Sequence, residues 1–166
     1  MTLLPFGLGS DDLVAWRLDQ AGFARTWDSG EGAFRVGGRW NSPGTRVVYM
    51  SLDPATAILE VAVHKGYRAL DVVPHVLTAA ELLERDEIKV VQADDLPEEE
   101  WLTPSIPRPG QQAYGDDLLK RHRAIAIPSA VSAHSWNLIF DPGRAGTAYA
   151  LKFQEPFVLD PRLHAA

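Results

Sequence analysis

Four side chains far apart in the chain have types and local settings that could carry chemistry. Arg39 stands in Gly37-Gly38-Arg39-Trp40-Asn41, between small residues and a turn. There a backbone can approach a ligand closely and a guanidinium can fork onto phosphate oxygens. The same pattern also fits a surface arginine on a hairpin. Glu60 interrupts a run of apolar residues on a helix, and a carboxylate among apolar neighbours is costly unless it faces solvent, a partner or a cleft. Tyr49 lies eleven residues earlier, on the strand that feeds this helix, so strand end and helix can present both groups to one pocket. As a plain strand aromatic it would only pack on its neighbours. Ser129 follows Pro128 at a strand end, which suits an active-site rim and equally an ordinary turn.

Other chemistries find little support around these residues. No glycine-flanked nucleophile motif encloses Ser129, which weakens a serine-hydrolase reading. The absence of cysteine removes disulfide frameworks, thiolate zinc sites and thiol nucleophiles together. His64, His75, His122, His134 and His164 form neither H-E-x-x-H nor another tight cluster, so no metal site is expected. Gly30, Gly32, Gly37 and Gly38 do not fit G-x-G-x-x-G, because Arg35 occupies the third glycine position, and the lysine of a P-loop is missing.

A net charge of -6 repels polyphosphate backbones at long range, so direct nucleic-acid binding is not expected. The basic run Lys120-Arg121-His122-Arg123 reads as a solvated helix end. A local arginine pocket can still hold a small phosphorylated ligand, within a Debye length of about 8 Å. The longest apolar stretches, 55–63 and 124–131, fall far short of a bilayer span. Residues 1–10 carry no Lys or Arg and no long apolar core with a cleavage site. The expected address is cytoplasmic, with no membrane partner.

The elements that must position these groups can be read from turn formers and periodicity. With 46% hydrophobic and 23% charged residues, 1–166 has the balance of one domain with its own core. A short strand is predicted over 14–18, although Ser10, Asp11 and Asp12 could cap a helix there instead. Strands over 34–40 and 45–52 flank Asn41-Ser42-Pro43-Gly44, a hairpin connection. Alternation in the second strand puts Val47, Tyr49 and Ser51 on one face and Val48, Met50 and Leu52 on the other.

The clearest helix starts at an Asp53 cap with Pro54 in the first position and closes at Gly66. Its apolar residues cover most of the circumference, which implies burial on nearly all sides around a polar stripe of Thr56, Glu60 and His64. Further strands are predicted over 72–78, 88–91, 124–130, 136–140 and 147–154, a helix over 114–121 and exposed loop over 93–110. Helices inserted among non-repeating strands argue for an α+β domain of mixed β-sheet, not a Rossmann alternation.

Taken in order, Gly37-Gly38-Arg39-Trp40-Asn41-Ser42-Pro43-Gly44, Val47-Val48-Tyr49-Met50-Ser51, Ala57-Ile58-Leu59-Glu60-Val61 with His64, and Ile127-Pro128-Ser129-Ala130 resemble the RES-domain family. That family is named for an arginine, a glutamate and a serine, matched here by Arg39, Glu60 and Ser129. Gly115-Asp116, Asn137 and Asp160-Pro161-Arg162-Leu163 are similar too, so the likeness runs over about 16–163. Where many members have Asn-Pro followed closely by a histidine, this chain has Asp141-Pro142-Gly143-Arg144.

The resemblance implies an ADP-ribosyltransferase-like fold and a bacterial toxin whose partner is an Xre-type DNA-binding antitoxin. It implies NAD+ as substrate, broken at the nicotinamide-ribose bond by water or phosphate. By the same likeness Glu60 would meet the developing ribosyl cation, a role suited to a carboxylate, because neutral nicotinamide leaves without needing an acid. Arg39, with Arg17 as a second, would hold the pyrophosphate. Tyr49 would pack on nicotinamide or orient the ribose, and Ser129 would position a ribose hydroxyl or the amide. Trp40, Asn41, Ser51 and Asn137 are expected as further NAD+ contacts. ADP-ribosyl transfer to a protein is the alternative reaction. A non-enzymatic interaction module using the acidic stretch 94–100 is the third reading.

Overall fold

The computed structural model describes residues 13–164. In chain order the first half carries β1 Val14–Gln20, α1 Glu31–Val36, β2 Val48–Ser51, α2 Pro54–Lys65, α3 Tyr67–Val72 and β3 His75–Leu82. The second carries β4 Ile88–Val90, α4 Pro109–Arg121, β5 Ala124–Pro128, β6 Trp136–Phe140, α5 Pro142–Ala145 and β7 Tyr149–Phe157. The strands form one sheet in the order β4-β5-β6-β2-β1-β3-β7, antiparallel except for the β4/β5 pair. The expected α+β class, with helices inserted among the strands of a mixed sheet, is the observed one.

Between β1 and β2 the ladder is a single register pair, Trp16↔Ser51. The sheet is therefore two laddered halves joined at a seam, and α2 lies across that seam against both β1 and β2. Strand alternation defines the two faces. On one, Leu13, Ala15, Val48, Met50, Leu52, Leu138 and Phe140 bury one another, and burial of a side chain such as Phe140 stabilises by roughly 1.5–3 kcal/mol. On the other, Val47 and Tyr49 join Ile125, Ile127 and Ile139 beneath Leu118 and Leu119 of α4. Leu18 and Leu77 pack there under Ala62 and Leu70 of α2 and α3. The expected division of β2 into two faces is the one seen. β5 is buried along its whole length, as a strand covered on both faces must be.

The start of α2 follows from three residues. Asp53 Oδ1 accepts from Thr56 N at 2.8 Å and Oδ2 from the Thr56 hydroxyl at 2.6 Å, while Pro54 fills the first turn. Gly66, at φ 78, ends the helix and donates its N–H to Ala62 O. The expected burial on nearly all sides is corrected: only Thr56, Ala57 and Ala62 are buried, and Val63 is 58% exposed. A helix lying on one sheet face buries one stripe, whatever its composition. The polar stripe accordingly runs from buried Thr56 through half-buried Glu60 to exposed His64.

Other expectations change for physical reasons. The hairpin over 34–52 is absent: 31–36 is helical, supported by the Glu31–Arg35 pair, and Gly37 at φ 74 ends it. Only an isolated bridge, Gly38↔Asn41, remains of the first strand. The amide of Asn41 takes over by donating to Ala33 O, Ser42 O and Thr45 O. The strand expected over 72–78 begins at His75, because 67–72 is α3 and Pro74 separates the two. The stretch 93–110 is not simply exposed loop, since it holds short 3-10 turns and the buried Trp101. β1 is a strand, and the alternative cap at Ser10, Asp11 and Asp12 lies outside the described residues. Among the described residues no helix is long and apolar enough to cross a membrane.

Candidate active site

Glu60 leaves α2 toward the β2–β6–β5 half of the sheet. Its Oε1 accepts from the Ser129 hydroxyl at 2.9 Å and from Asn137 Nδ2 at 2.6 Å. Asn137 and Ser51 are register partners on β6 and β2, and the Ser51 hydroxyl donates to Asn137 Oδ1 at 2.9 Å, which fixes which way the amide faces. Ser129 Oγ accepts in turn from Val131 N at 3.1 Å. One carboxylate oxygen is thus anchored by residues from two strands and a strand end. No described residue hydrogen-bonds to Oε2, and Glu60 is half-buried.

Arg39 and Tyr49 approach from the turn at 37–42. The Tyr49 hydroxyl donates to Asn41 Oδ1 at 2.7 Å and accepts from Trp40 N at 3.0 Å. Burial pushes its pKa up, and the charges of Arg39 and Glu60 act on it with opposite signs. Burial lowers the pKa of Arg39, while Glu60, foremost among nearby charges, opposes the shift. Arginine, phenol and carboxylate therefore lie within electrostatic range of one another. Among the described residues no group of three or more His, Cys, Asp or Glu could hold a metal ion.

The turn is clamped from behind by α4. Gln112 Nε2 donates to Gly38 O at 2.9 Å, and Ser42 N donates to the Asp116 carboxylate at 3.1 Å. Gly115 lies so close that a Cβ there would meet Trp40 O at 2.0 Å. Gly38 is needed for the same reason, because a Cβ would meet the Tyr49 hydroxyl at 2.6 Å. Gln111 and Gln112 were not anticipated from the sequence; no spacing marks a glutamine whose partner is a distant backbone carbonyl.

Several residues expected as ligand contacts are buried or hydrogen-bonded within the protein. Trp40 and Asn41 are 1% and 0% exposed, and their side chains lie beneath the surface of the site. Ser51 and Ser129, 2% and 1% exposed, spend their hydroxyls on Asn137 and Glu60. Asn137 is half-buried and spends its amide on Ser51 and Glu60. Arg17 does not join Arg39. The pair Trp16↔Ser51 puts Trp16 on the face of Ser51, so Arg17 starts from the opposite face. Its guanidinium is held there by Asp19 at 2.9 Å and by Tyr49 O at 2.9 Å, where it ties the seam together.

A family model of the RES domain matches residues 14–160. The chain belongs to the RES-domain family. Relatives named Toxin Res include one from Photorhabdus laumondii subsp. laumondii, 30% identical over 136 residues, 78% of this chain and 82% of that protein. Another, from Pseudomonas putida, is 32% identical over 156 residues, 91% of this chain and 99% of that protein. The solved structure of the M. tuberculosis MbcT-MbcA toxin-antitoxin complex contains a chain of the same fold. Its TM-score is 0.62 at 19% identity, covering 89% of this chain and 85% of that one. In this RES-domain chain the matched region includes Arg39, Tyr49, Glu60 and Ser129.

The two raised phenols give a pH prediction. Tyr49 is shifted up by burial, and Tyr149 by burial and by its hydrogen bond to Asp28. Above the ordinary tyrosine value of 10.0 the unfolded chain releases these protons while the folded chain keeps them. Their contribution to stability is therefore complete below that pH and declines above it, by at most about 1.4 kcal/mol per pH unit for each phenol. Urea midpoints measured from about pH 8 to about pH 11 should fall over the last unit, and less so in Tyr49→Phe.

Proposed function

We propose that this chain is the toxin of a toxin-antitoxin pair and that it consumes NAD+ by breaking the bond between nicotinamide and ribose. The observation that carries this reading is the half-anchored Glu60 carboxylate, with Oε1 held by Ser129 and Asn137 and Oε2 left over, in electrostatic range of Arg39. Such a pairing suits a substrate that is anionic at one end and becomes cationic at the reacting carbon.

The chemistry then needs little from the protein beyond placement and charge. The electron pair of the glycosidic bond departs with the nicotinamide nitrogen, and nicotinamide leaves as a neutral base. Positive charge grows on the ribose, where the fixed carboxylate lowers the barrier because it is already oriented and requires no reorganisation. Water or phosphate then bonds to the ribose carbon. Water gives up a proton in that step, whereas phosphate brings its own negative charge. Arg39 would hold the pyrophosphate through its unspent N–H groups. Ser129 and Asn137 act through Glu60 in this scheme, with Ser51 behind Asn137. The partner is an Xre-type DNA-binding antitoxin, and the site of action is the cytoplasm.

The test is to incubate the purified chain with NAD+, with and without phosphate, and identify the products by mass. Released nicotinamide with ADP-ribose is expected from hydrolysis, and ADP-ribose phosphate from phosphorolysis. ADP-ribose bound to protein would move the reading to a transferase. Intact NAD+ in every arm, together with a normal NAD+ pool in cells arrested by the chain, would overturn it.

A further inference from the structure

We infer that Gln111 is a positioning residue for Arg39, acting through the main-chain carbonyl of Trp101. Arg39 Nη1 donates to Trp101 O at 3.2 Å, and Nη2 donates to Ser105 O at 2.9 Å. Both acceptors belong to the connection between β4 and α4. Gln111 Nε2 donates to the same Trp101 O at 2.9 Å, and Gln111 is 1% exposed. A carbonyl oxygen has two lone pairs, and here one meets the arginine and the other the buried amide, which fixes where the oxygen points.

The rest of Trp101 is immobilised as well. Its ring packs against Tyr114 and Trp40, with centroids 5.5 and 6.3 Å away. Arg108 pairs with Glu100 at 3.1 Å and with Glu98 at 3.6 Å, both at the start of the turn that leads into Trp101. Gln111 Oε1 is used too, accepting from Arg108 N at 3.4 Å, so the amide cannot flip without losing both bonds. With two directions of the guanidinium set by carbonyls, its Nε–H and one N–H on each terminal nitrogen are left in a fixed plane. A planar fork held in advance loses less entropy on meeting a pyrophosphate than a free one. A buried glutamine with no ligand contact of its own thereby controls the affinity of the anion site.

This inference rests on the NAD+ reading for its effect on catalysis, and on geometry alone for its effect on Arg39. The experiment reads both in the full chain carrying Gln111→Leu, which keeps the volume and removes both bonds. By nitrogen-15 NMR, the two Nη groups of Arg39 should give separate signals in the unsubstituted chain and an averaged one in the variant. The KM for NAD+ should rise about tenfold while kcat stays within about threefold, the pattern of lost binding that is common to ground and transition states. If Gln111→Leu does not fold, Gln111→Asn, one methylene shorter, is read in the same way. Separate Nη signals in a folded variant, or a lowered melting temperature with KM unchanged, would overturn the positioning role. An unsubstituted chain that leaves NAD+ intact yet shows the expected NMR change would refute the function reading and keep this one.

Discussion

Glu60→Gln is expected to lower turnover of NAD+ on the order of 100-fold or more, about 2.7 kcal/mol of transition-state stabilisation, with the fold unchanged. The substitution isolates charge from shape. A glutamine carbonyl oxygen can accept from the Ser129 hydroxyl and from Asn137 Nδ2 just as Glu60 Oε1 does, so the network from Ser51 to Ser129 survives. What is lost is the negative charge at the other terminal atom, replaced by a neutral amide that donates hydrogen bonds. A neutral dipole stabilises a ribosyl cation far less than a carboxylate in the same half-buried position. The measurement is kcat on NAD+ beside a thermal melt. Unchanged turnover in a variant that melts normally would remove Glu60 from the mechanism.

The largest structural effect should come from a single methyl group at Gly115. An ideal Cβ there would lie 2.0 Å from Trp40 O, 2.6 Å from Trp40 C and 2.8 Å from Trp40 Cα. All three atoms are backbone, so no side chain can rotate away and α4 must withdraw from the turn. Overpacking of this kind costs about 3 kcal/mol. Withdrawal also breaks the bonds from Gln112 to Gly38 O and from Ser42 N to Asp116, and with them the seat of Arg39. Gly115→Ala is therefore expected to lower both the urea midpoint and kcat/KM. Gly22→Ala makes the contrast, because nothing lies within 4 Å of a Cβ at Gly22, and its stability should change by no more than about 0.5 kcal/mol. Equal stability of the two variants would mean that α4 does not rest on the Trp40 backbone.

What could be read ahead of the fold was local. The Asp53 cap, Pro54 and Gly66 announce α2 because a helix end is satisfied by the few residues beside it. The two faces of β2 follow from alternation, and β6 is predicted over the residues it occupies. The segment 34–40 misled, since its glycines and turn formers fit a hairpin as well as they fit a helix end. Nothing along the chain separates these two, because the choice depends on Asn41 finding carbonyls at Ala33 and Thr45.

The site divides in the same way. By itself the sequence determined which groups carry charge and hydrogen-bonding capacity: an arginine beside glycines, a phenol on a strand, an acid on an apolar helix and a hydroxyl at a strand end. Only the tertiary structure decided which of them stay accessible and which are buried holding the others. It turned Trp40 and Asn41 inward, set Ser51, Asn137 and Ser129 behind Glu60, placed Arg17 on the far face, and brought Gln111 and Trp101 to Arg39. Residue type is a property of one position. Burial and partnership depend on how sheet, helix and turn pack across dozens of intervening residues, and no local pattern records that.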